Sequence, residues 1–357
     1  MTASLPPAQP VPTPWLTPWR LGGLLAGLAL LLVAAGLTAG SDGFSLAWAD
    51  EAELIRAIRA PRTLGALAAG GLLGLAGALA QGLFRNPLAD PFLLGSASGA
   101  SLGVALALAA MGGAGGMLGG GMMGNGMAFS VFGTSWVTRL GLTGAAFGGA
   151  VLAVLLTLAL SNGVQHTLRL LLAGVVVGVV LGAMTHLVLL WSPESLQAMQ
   201  AFMLGSTAFV GWTACAVMAA VWVLAASAGV LLARMLDGLS LGESTAHSLG
   251  LPLVPMRFAL VAVLALATGA AVAQTGLIAF VGLAAPHLVR SVVKTTHGRL
   301  ILLSSLMGGV LLMAADTLAR WLIAPQELPV GVLTAVLGGG YLLWLMHRSS
   351  RGGGVSL

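Results

Sequence analysis

The sequence carries very little charge: Asp, Glu, Lys and Arg make up 7% of its 357 residues, against roughly 25% in soluble domains. A surface so poor in ionised groups is not made to face water. The one cysteine, Cys215, lies inside an apolar run, so neither a disulfide framework nor a thiolate metal site can form within one chain. The one lysine, Lys294, sits between Val293 and Thr295 with no glycine-rich loop before it, which excludes ATP hydrolysis by a P-loop. The six histidines, His166, His186, His247, His287, His297 and His347, are scattered without HExxH or similar metal spacing. No metal ligand and no cofactor is assigned. A pI near 11.0 reflects fifteen basic against ten acidic side chains spread singly, without the basic cluster or aromatic platform that nucleic acid requires. No grouping of acid, base and nucleophile supports a membrane-embedded enzyme.

What the sequence has instead is apolar length. It is 58% hydrophobic with a mean hydropathy of +1.01. Apolar stretches recur from Leu21 to Met346, each long enough, at about 18–25 residues, to cross a bilayer core of about 30 Å. Only helices or closed barrels satisfy the backbone there, and unbroken Leu/Ala/Val/Gly runs read as helices rather than alternating barrel strands. The expected spans are 21–40, 63–84, 91–111, 138–160, 168–191, 211–233, 257–276, 277–294, 300–323 and 329–347. Pro286 and its neighbouring glycines blur the boundary between the seventh and eighth. The chain therefore divides into a Pro-rich flexible tail at 1–20, a single transmembrane domain at 21–347 and a short tail at 348–357. A cleaved signal peptide ending near Ala39 is the alternative for 21–40, opposed by a charged region holding only Arg20 and by the nine spans that follow.

An even number of spans puts both termini on one side. If that side is the cytoplasm, ten basic residues lie inside (Arg20, Arg85, Arg169, Arg234, Arg257, Arg290, Lys294, Arg299, Arg348, Arg351) and five outside (Arg56, Arg59, Arg62, Arg139, Arg320), as the positive-inside rule requires. Three of the outer arginines share the segment Glu53–Arg62. They either snorkel and pair with Asp50, Glu51 and Glu53, or form a patch for an acidic partner. Asp316, the one acid well inside a span, lies four residues before Arg320; such an acid is a functional candidate or one half of a same-face helical pair. Glycines at four-residue spacing, Gly95/Gly99/Gly103, Gly144/Gly148 and Gly174/Gly178/Gly182, point to close helix packing. Met117, Met122, Met123 and Met127 read as part of a Gly-rich external loop rather than a copper(I) site.

Three longer segments are more specific. The first is Gln81-Gly-Leu-Phe-Arg-Asn-Pro-Leu-Ala-Asp-Pro-Phe-Leu-Leu-Gly-Ser-Ala-Ser-Gly-Ala100, preceded by Arg59-Ala-Pro-Arg62. The second is Leu241-Gly-Glu-Ser-Thr-Ala-His-Ser-Leu-Gly250. The third runs from Gly276-Leu-Ile-Ala-Phe-Val-Gly-Leu-Ala-Ala-Pro-His-Leu-Val-Arg290 through Ala315-Asp-Thr-Leu-Ala-Arg320 to Glu327-Leu-Pro-Val-Gly331. Together they resemble the FecCD/BtuC family, the permease subunits of ABC importers for ferric siderophores, heme and cobalamin, from about Ala60 to Met346. Departures are Gly338-Gly-Gly340, where the family commonly has Gly-Ala-Pro, Phe202 where it often has Trp, and a longer external stretch at 111–137.

The resemblance implies an all-α integral membrane protein of about ten helices with a BtuC-like permease fold and inverted repeats, faintly echoed in Ala80-Gln-Gly against Ala273-Gln-Thr-Gly. It implies a non-enzymatic subunit of the cytoplasmic (inner) membrane, both termini cytoplasmic. The implied partners are a second copy of itself, cytoplasmic ATP-binding subunits that hydrolyse ATP, and a periplasmic or surface substrate-binding protein. The implied function is inward movement of an iron chelate or cobalamin by alternating access. Residue by residue, the family's docking arginines match Arg59, Arg62 and Arg320. Its ATPase-coupling segment matches Gly242, Glu243, Ala246, His247, Leu249 and Gly250, in a loop at about 236–256. There Glu243 would complement the dipole of a short helix, and Ala246 and Leu249 would offer a small apolar face. The rival class is a stand-alone secondary carrier or channel.

Overall fold

The computed structural model describes residues 16–40, 43–44, 51–118, 136–161, 163–164 and 167–351. Asp50, the side chains of Arg139 and Met117, and the methionines Met122, Met123 and Met127 lie outside the described residues or side chains, as do most of the two tails.

Among the described residues the chain forms twelve helices: α1 Pro18–Thr38, α2 Ala52–Phe84, α3 Ser96–Leu118, α4 Trp136–Leu160, α5 Thr167–Trp191, α6 Leu196–Leu204, α7 Trp212–Ser240, α8 Glu243–Ser248, α9 Leu253–Thr275, α10 Val281–Val292, α11 His297–Trp321 and α12 Val330–Arg351. A two-residue antiparallel ladder, β1 Ala39–Gly40 with β2 Gly43–Phe44, follows α1. Eight helices are long and apolar enough to cross a membrane. The other two expected spans are α3 and α10. At 12 residues α10 is about 18 Å long, short of a bilayer core. Residues 276–280 ahead of it are non-helical, with Gly276 and Phe280 both at positive φ (69° and 68°). Irregular backbone is tolerated at this depth where protein buries it, and here Ile278 is 1% exposed.

The bundle is built around α2. Its most apolar window is 89% buried, whereas that of α5 is 17% buried, so α2 is an axis and α5 a surface helix. Lipid supplies no hydrophobic drive between helices, so packing and polar contacts hold them together. A Cβ on Gly70 would stand 2.3 Å from the Gly308 carbonyl oxygen, and one on Gly77 only 1.7 Å from that of Gly282. Only glycine lets α11 and α10 approach α2 this closely. Ser305 Oγ donates to the Gly71 carbonyl (2.9 Å) and accepts from Trp222 Nε1 (2.5 Å), joining α2, α7 and α11 through buried polar contacts.

The expected glycine packing holds for part of the set. Gly99 and Gly103 of α3 press on Gly149 and Ala145 of α4, and Gly174 of α5 on the Leu93 carbonyl. A Cβ added at Gly144, Gly148 or Gly182 would meet nothing within 4 Å. Successive helical residues are turned by about 100°, so Gly149 faces α3 while Gly148 points elsewhere.

The two halves repeat an order: long helix, left-handed residue, then three helices. Gly95 (φ 81°) precedes α3 as Phe280 precedes α10. The matching long helices run in opposite directions, because the end of α2 and the start of α9 meet at one residue, Glu243. Opposed directions of this kind are what an inverted repeat requires.

Candidate functional site

The chain's polar chemistry collects at the two ends of α2. Arg62 and Arg85, near its two ends, are separated by about 34 Å at 1.5 Å per residue.

At the first end, local sequence shapes the helix. Pro61 has no N–H to donate and its ring crowds the carbonyl four residues back. The turn just before it, Ile55–Arg59, is π-helical, a form that absorbs such misfits. Arg59 and Arg62 then face inward. Arg59 pairs with Glu51 (2.7 Å) and donates to the Leu37 carbonyl (3.2 Å). Arg62 engages Asp316 through Nε (3.1 Å) and Nη2 (3.0 Å), and both Glu327 oxygens through Nη1 (3.0 and 2.7 Å). Arg320 pairs with Asp316 one turn back on α11, and donates to the Gly36 carbonyl (3.0 Å) and Thr63 Oγ1 (3.3 Å). Thr207 Oγ1 donates to Asp316 as well. This one cluster ties α1, α2, α11 and the loop before α7.

The expectations for these residues are answered in detail. The same-face pair of Asp316 and Arg320 exists, and Glu51 is the partner of Arg59. Arg59, Arg62 and Arg320 are brought together, but they are 7%, 6% and 2% exposed and all are paired within the chain. Arg56 is exposed, and its carbonyl accepts from Trp212 Nε1 (2.9 Å).

At the other end, Leu241 and Gly242 close α7 and α8 follows at once. Gly242 at φ 105° and Gly250 at φ 75° bracket α8 with conformations that side chains resist. Glu243 opens the helix, where a carboxylate complements the dipole. It also binds Arg257 of α9 (2.5 Å) and Arg85 (3.4 Å), the left-handed C-cap of α2. Arg257 is 4% exposed and donates to the Val164 carbonyl (3.3 Å). The expected joint face of Ala246 and Leu249 does not form: Ala246 is fully buried near Gly238 of its own chain, while Leu249 is 63% exposed. His247 is exposed beside it. Nearby, Asp237 accepts from the His297 backbone (3.0 Å) and contacts its Nδ1 (2.7 Å). Arg299 lies over the Trp19 ring at 5.7 Å.

Between these ends Arg290 of α10 donates to Gln81 Oε1, and Gln81 Nε2 to the Leu283 carbonyl (3.2 Å). In the 85–95 loop, Asp90 caps the turn Pro91–Leu94 by accepting from the Phe92 N–H (2.8 Å). Burial pushes its carboxyl pKa up, and that hydrogen bond pulls it partly back.

The chain that builds this bundle matches a known family. The model of the FecCD transport family covers residues 23–348. The chain belongs to that family. This FecCD protein is 37% identical over 292 residues to the hemin transport system permease protein HmuU of Yersinia pestis, with 82% of each chain covered. It is 36% identical over 336 residues to the vitamin B12 import system permease protein BtuC of Shigella boydii, covering 92% of this chain and 94% of that one. A solved structure described as an inward-facing conformation of a metal-chelate type ABC transporter aligns with a TM-score of 0.80 at 27% identity, over 93% of this chain and 100% of that one. The expected BtuC-like, all-helical permease fold is the one found. FecCD membership makes the chain a multi-pass transport subunit, the permease of an importer.

Sequence reasoning missed several members of the two clusters. Thr207, Thr63 and the Gly36 carbonyl carry no signal of their own. Arg257 reads in sequence only as an inside charge, though its place near the start of a span, fourteen residues after Glu243, is the clue to a buried pair. The meeting of backbones at 202–206, 275–277 and 331 was also missed: Ser206 N donates to Thr275 O (2.8 Å), Leu277 N to Phe202 O (3.1 Å) and Gly331 N to Gly205 O (3.2 Å).

Proposed function

We propose that this FecCD permease works as a homodimer in the cytoplasmic membrane, both termini inside, moving an iron chelate, heme or cobalamin inward by alternating access. Separate ATPase subunits engage the α8 end, and an extracytoplasmic binding protein delivers the substrate to the Arg59, Arg62 and Arg320 end. The transmembrane domain spans 21–347, with tails on either side. The observation that carries this reading is the division of polar chemistry: two distinct clusters at opposite ends of one buried helix, about 34 Å apart, suit two partners on opposite membrane faces. The names of HmuU and BtuC support heme and cobalamin as substrate classes.

On this reading α8 is a lever. Leu249 and His247 project outward, while Glu243 braces the helix against α2 and α9. ATP binding by the partner shifts the permease only as far as its contacts with α8 differ between inward- and outward-open states. The segment Gly242–Gly250 is the coupling element, its buried Ala246 serving as an anchor to the permease rather than as a contact.

Proteoliposomes test the function. Uptake of labelled heme, ferric siderophore or cobalamin is expected only with permease, ATPase, binding protein and ATP together. Ion-gradient-driven uptake by the chain alone would overturn the proposal in favour of a secondary carrier.

A further inference from the structure

The arginine end is not a cationic surface. Among the described residues the arginine cluster and the turn before it hold four guanidinium groups, Arg56, Arg59, Arg62 and Arg320, and four carboxylates, Glu51, Glu53, Asp316 and Glu327, whose formal charges balance. The carboxylates differ sharply in access. Asp316 has a side chain 1% exposed and accepts from Arg62, Arg320 and Thr207. It is locked in. Glu51 and Glu327 have side chains 30% and 31% exposed, and each covers one buried arginine at 2.7 Å, Glu51 over Arg59 and Glu327 over Arg62.

All three nitrogens of Arg62 are already engaged, two by Asp316 and one by Glu327. A guanidinium offers five N–H groups in a fixed fork, so a third carboxylate cannot gain a forked contact with Arg62 while Glu327 stays. It would also meet like charge. An acid arriving at Arg62 must replace the resident one, and at Arg59 the resident Glu51 holds Nη1.

We propose that Glu51 and Glu327 are resident substitutes for carboxylates of the binding protein, and that docking exchanges them at Arg59 and Arg62. This rests on the docking reading above. The exchange conserves the number of ion pairs and returns two glutamates to water. Both stand where the release is felt. Glu51 immediately precedes α2, and Glu327 lies in the loop from α11 to α12. That loop is held at its end by Leu328 N donating to Ala319 O (3.1 Å), so the Glu327 side chain can leave while the backbone stays. Docking thereby loosens the entry to the central helix and the link between the last two spans.

The test uses the full-length permease with its ATPase subunits in lipid nanodiscs, and the purified binding protein of the same importer as the probe. Glu51→Gln with Glu327→Gln removes the competitors and leaves a surplus of two positive charges. The expected result is docking at least about tenfold tighter, with a faster association rate that falls more steeply with salt. Glu327→Asp, which keeps the charge but shortens the reach by one methylene, is expected to give a smaller gain and guards against misfolding of the double variant. Unchanged or weaker docking in these folded variants overturns the exchange. The Arg59→Gln/Arg62→Gln variant, checked for retained ATPase association, separates the two readings. If it loses docking while the glutamate variants gain nothing, only the exchange falls. If it docks normally, the docking reading falls with it.

Discussion

Replacing Asp316 by asparagine isolates one charge at the centre of the arginine cluster. Asparagine keeps the shape and an acceptor for Thr207, so the variant removes little except the negative charge. Arg62 retains Glu327 (2.7 Å). Arg320 keeps hydrogen bonds only to the neutral Gly36 carbonyl and Thr63 Oγ1 and a more distant attraction to Glu327, and its Nε already lacks a hydrogen-bond partner among the described residues. The magnitude follows from burial. Were Asp316 and Arg320 an exposed pair one turn apart on a helix, the loss would be about 0.3–0.5 kcal/mol. At 1% and 2% exposure, the variant strands a buried cation, and removing one member of a buried pair costs about 3–5 kcal/mol. The two cases differ nearly tenfold, so the measurement decides between them. Unfolding free energy by steric trapping in bicelles reads the difference directly. Adding Arg320→Met to Asp316→Asn removes the stranded charge and is expected to recover most of the loss, to within about 2 kcal/mol of the parent. An Asp316→Asn variant within about 0.5 kcal/mol of the parent would show, on the scale of an exposed pair, that water reaches this cluster, and the reasoning would fail.

Two further tests address packing and the lever. Gly77→Ala places a methyl 1.7 Å from the Gly282 carbonyl oxygen and is expected to destabilise by about 3 kcal/mol or more. Gly144→Ala, with open space around it, is expected to be neutral or stabilising by up to about 1 kcal/mol; heating followed by size-exclusion chromatography in detergent ranks the two, and equal thermal midpoints would refute the packing account. Glu243→Gln leaves Arg257 buried without that carboxylate. Because Glu243 is itself 44% exposed, water screens the loss, which is expected to be about 1–2 kcal/mol. Transport per ATP hydrolysed should fall while ATPase association persists, and the charge swap Glu243→Arg/Arg257→Glu should restore part of it; full coupling in Glu243→Gln would remove the bracing role.

Residue by residue, legibility tracked how local the cause was. The spans were readable because apolar length is a property of contiguous sequence, and most expected boundaries fall within a few residues of α1 to α12. The 277–294 span was only half legible. Its apolar composition suits a full helix, but Gly276 and Phe280 adopt positive φ where they pack against α6 and α12. The Asp316–Arg320 pair was visible from a four-residue interval. Its third member, Arg62, lies 254 residues away in sequence, and no interval announces that. Ala246 and Leu249 show the opposite failure. Their spacing of three put them on one face of an ideal helix, but α8 ends at Ser248, and the chain turns Leu249 outward.

By itself the sequence determined that this chain lives in a bilayer, that its one lysine lies in no P-loop motif, and that its few charges fall mostly singly between apolar runs. Those conclusions need only composition, run length and motif. The tertiary structure alone decided where those charges go: that Arg59, Arg62 and Arg320 are buried and paired within the chain while Arg56 is exposed, and that Glu243 pairs with both Arg85 and Arg257. Ion pairing depends on which helix ends meet and on how much water remains between them, and both are settled only when the helices pack around α2.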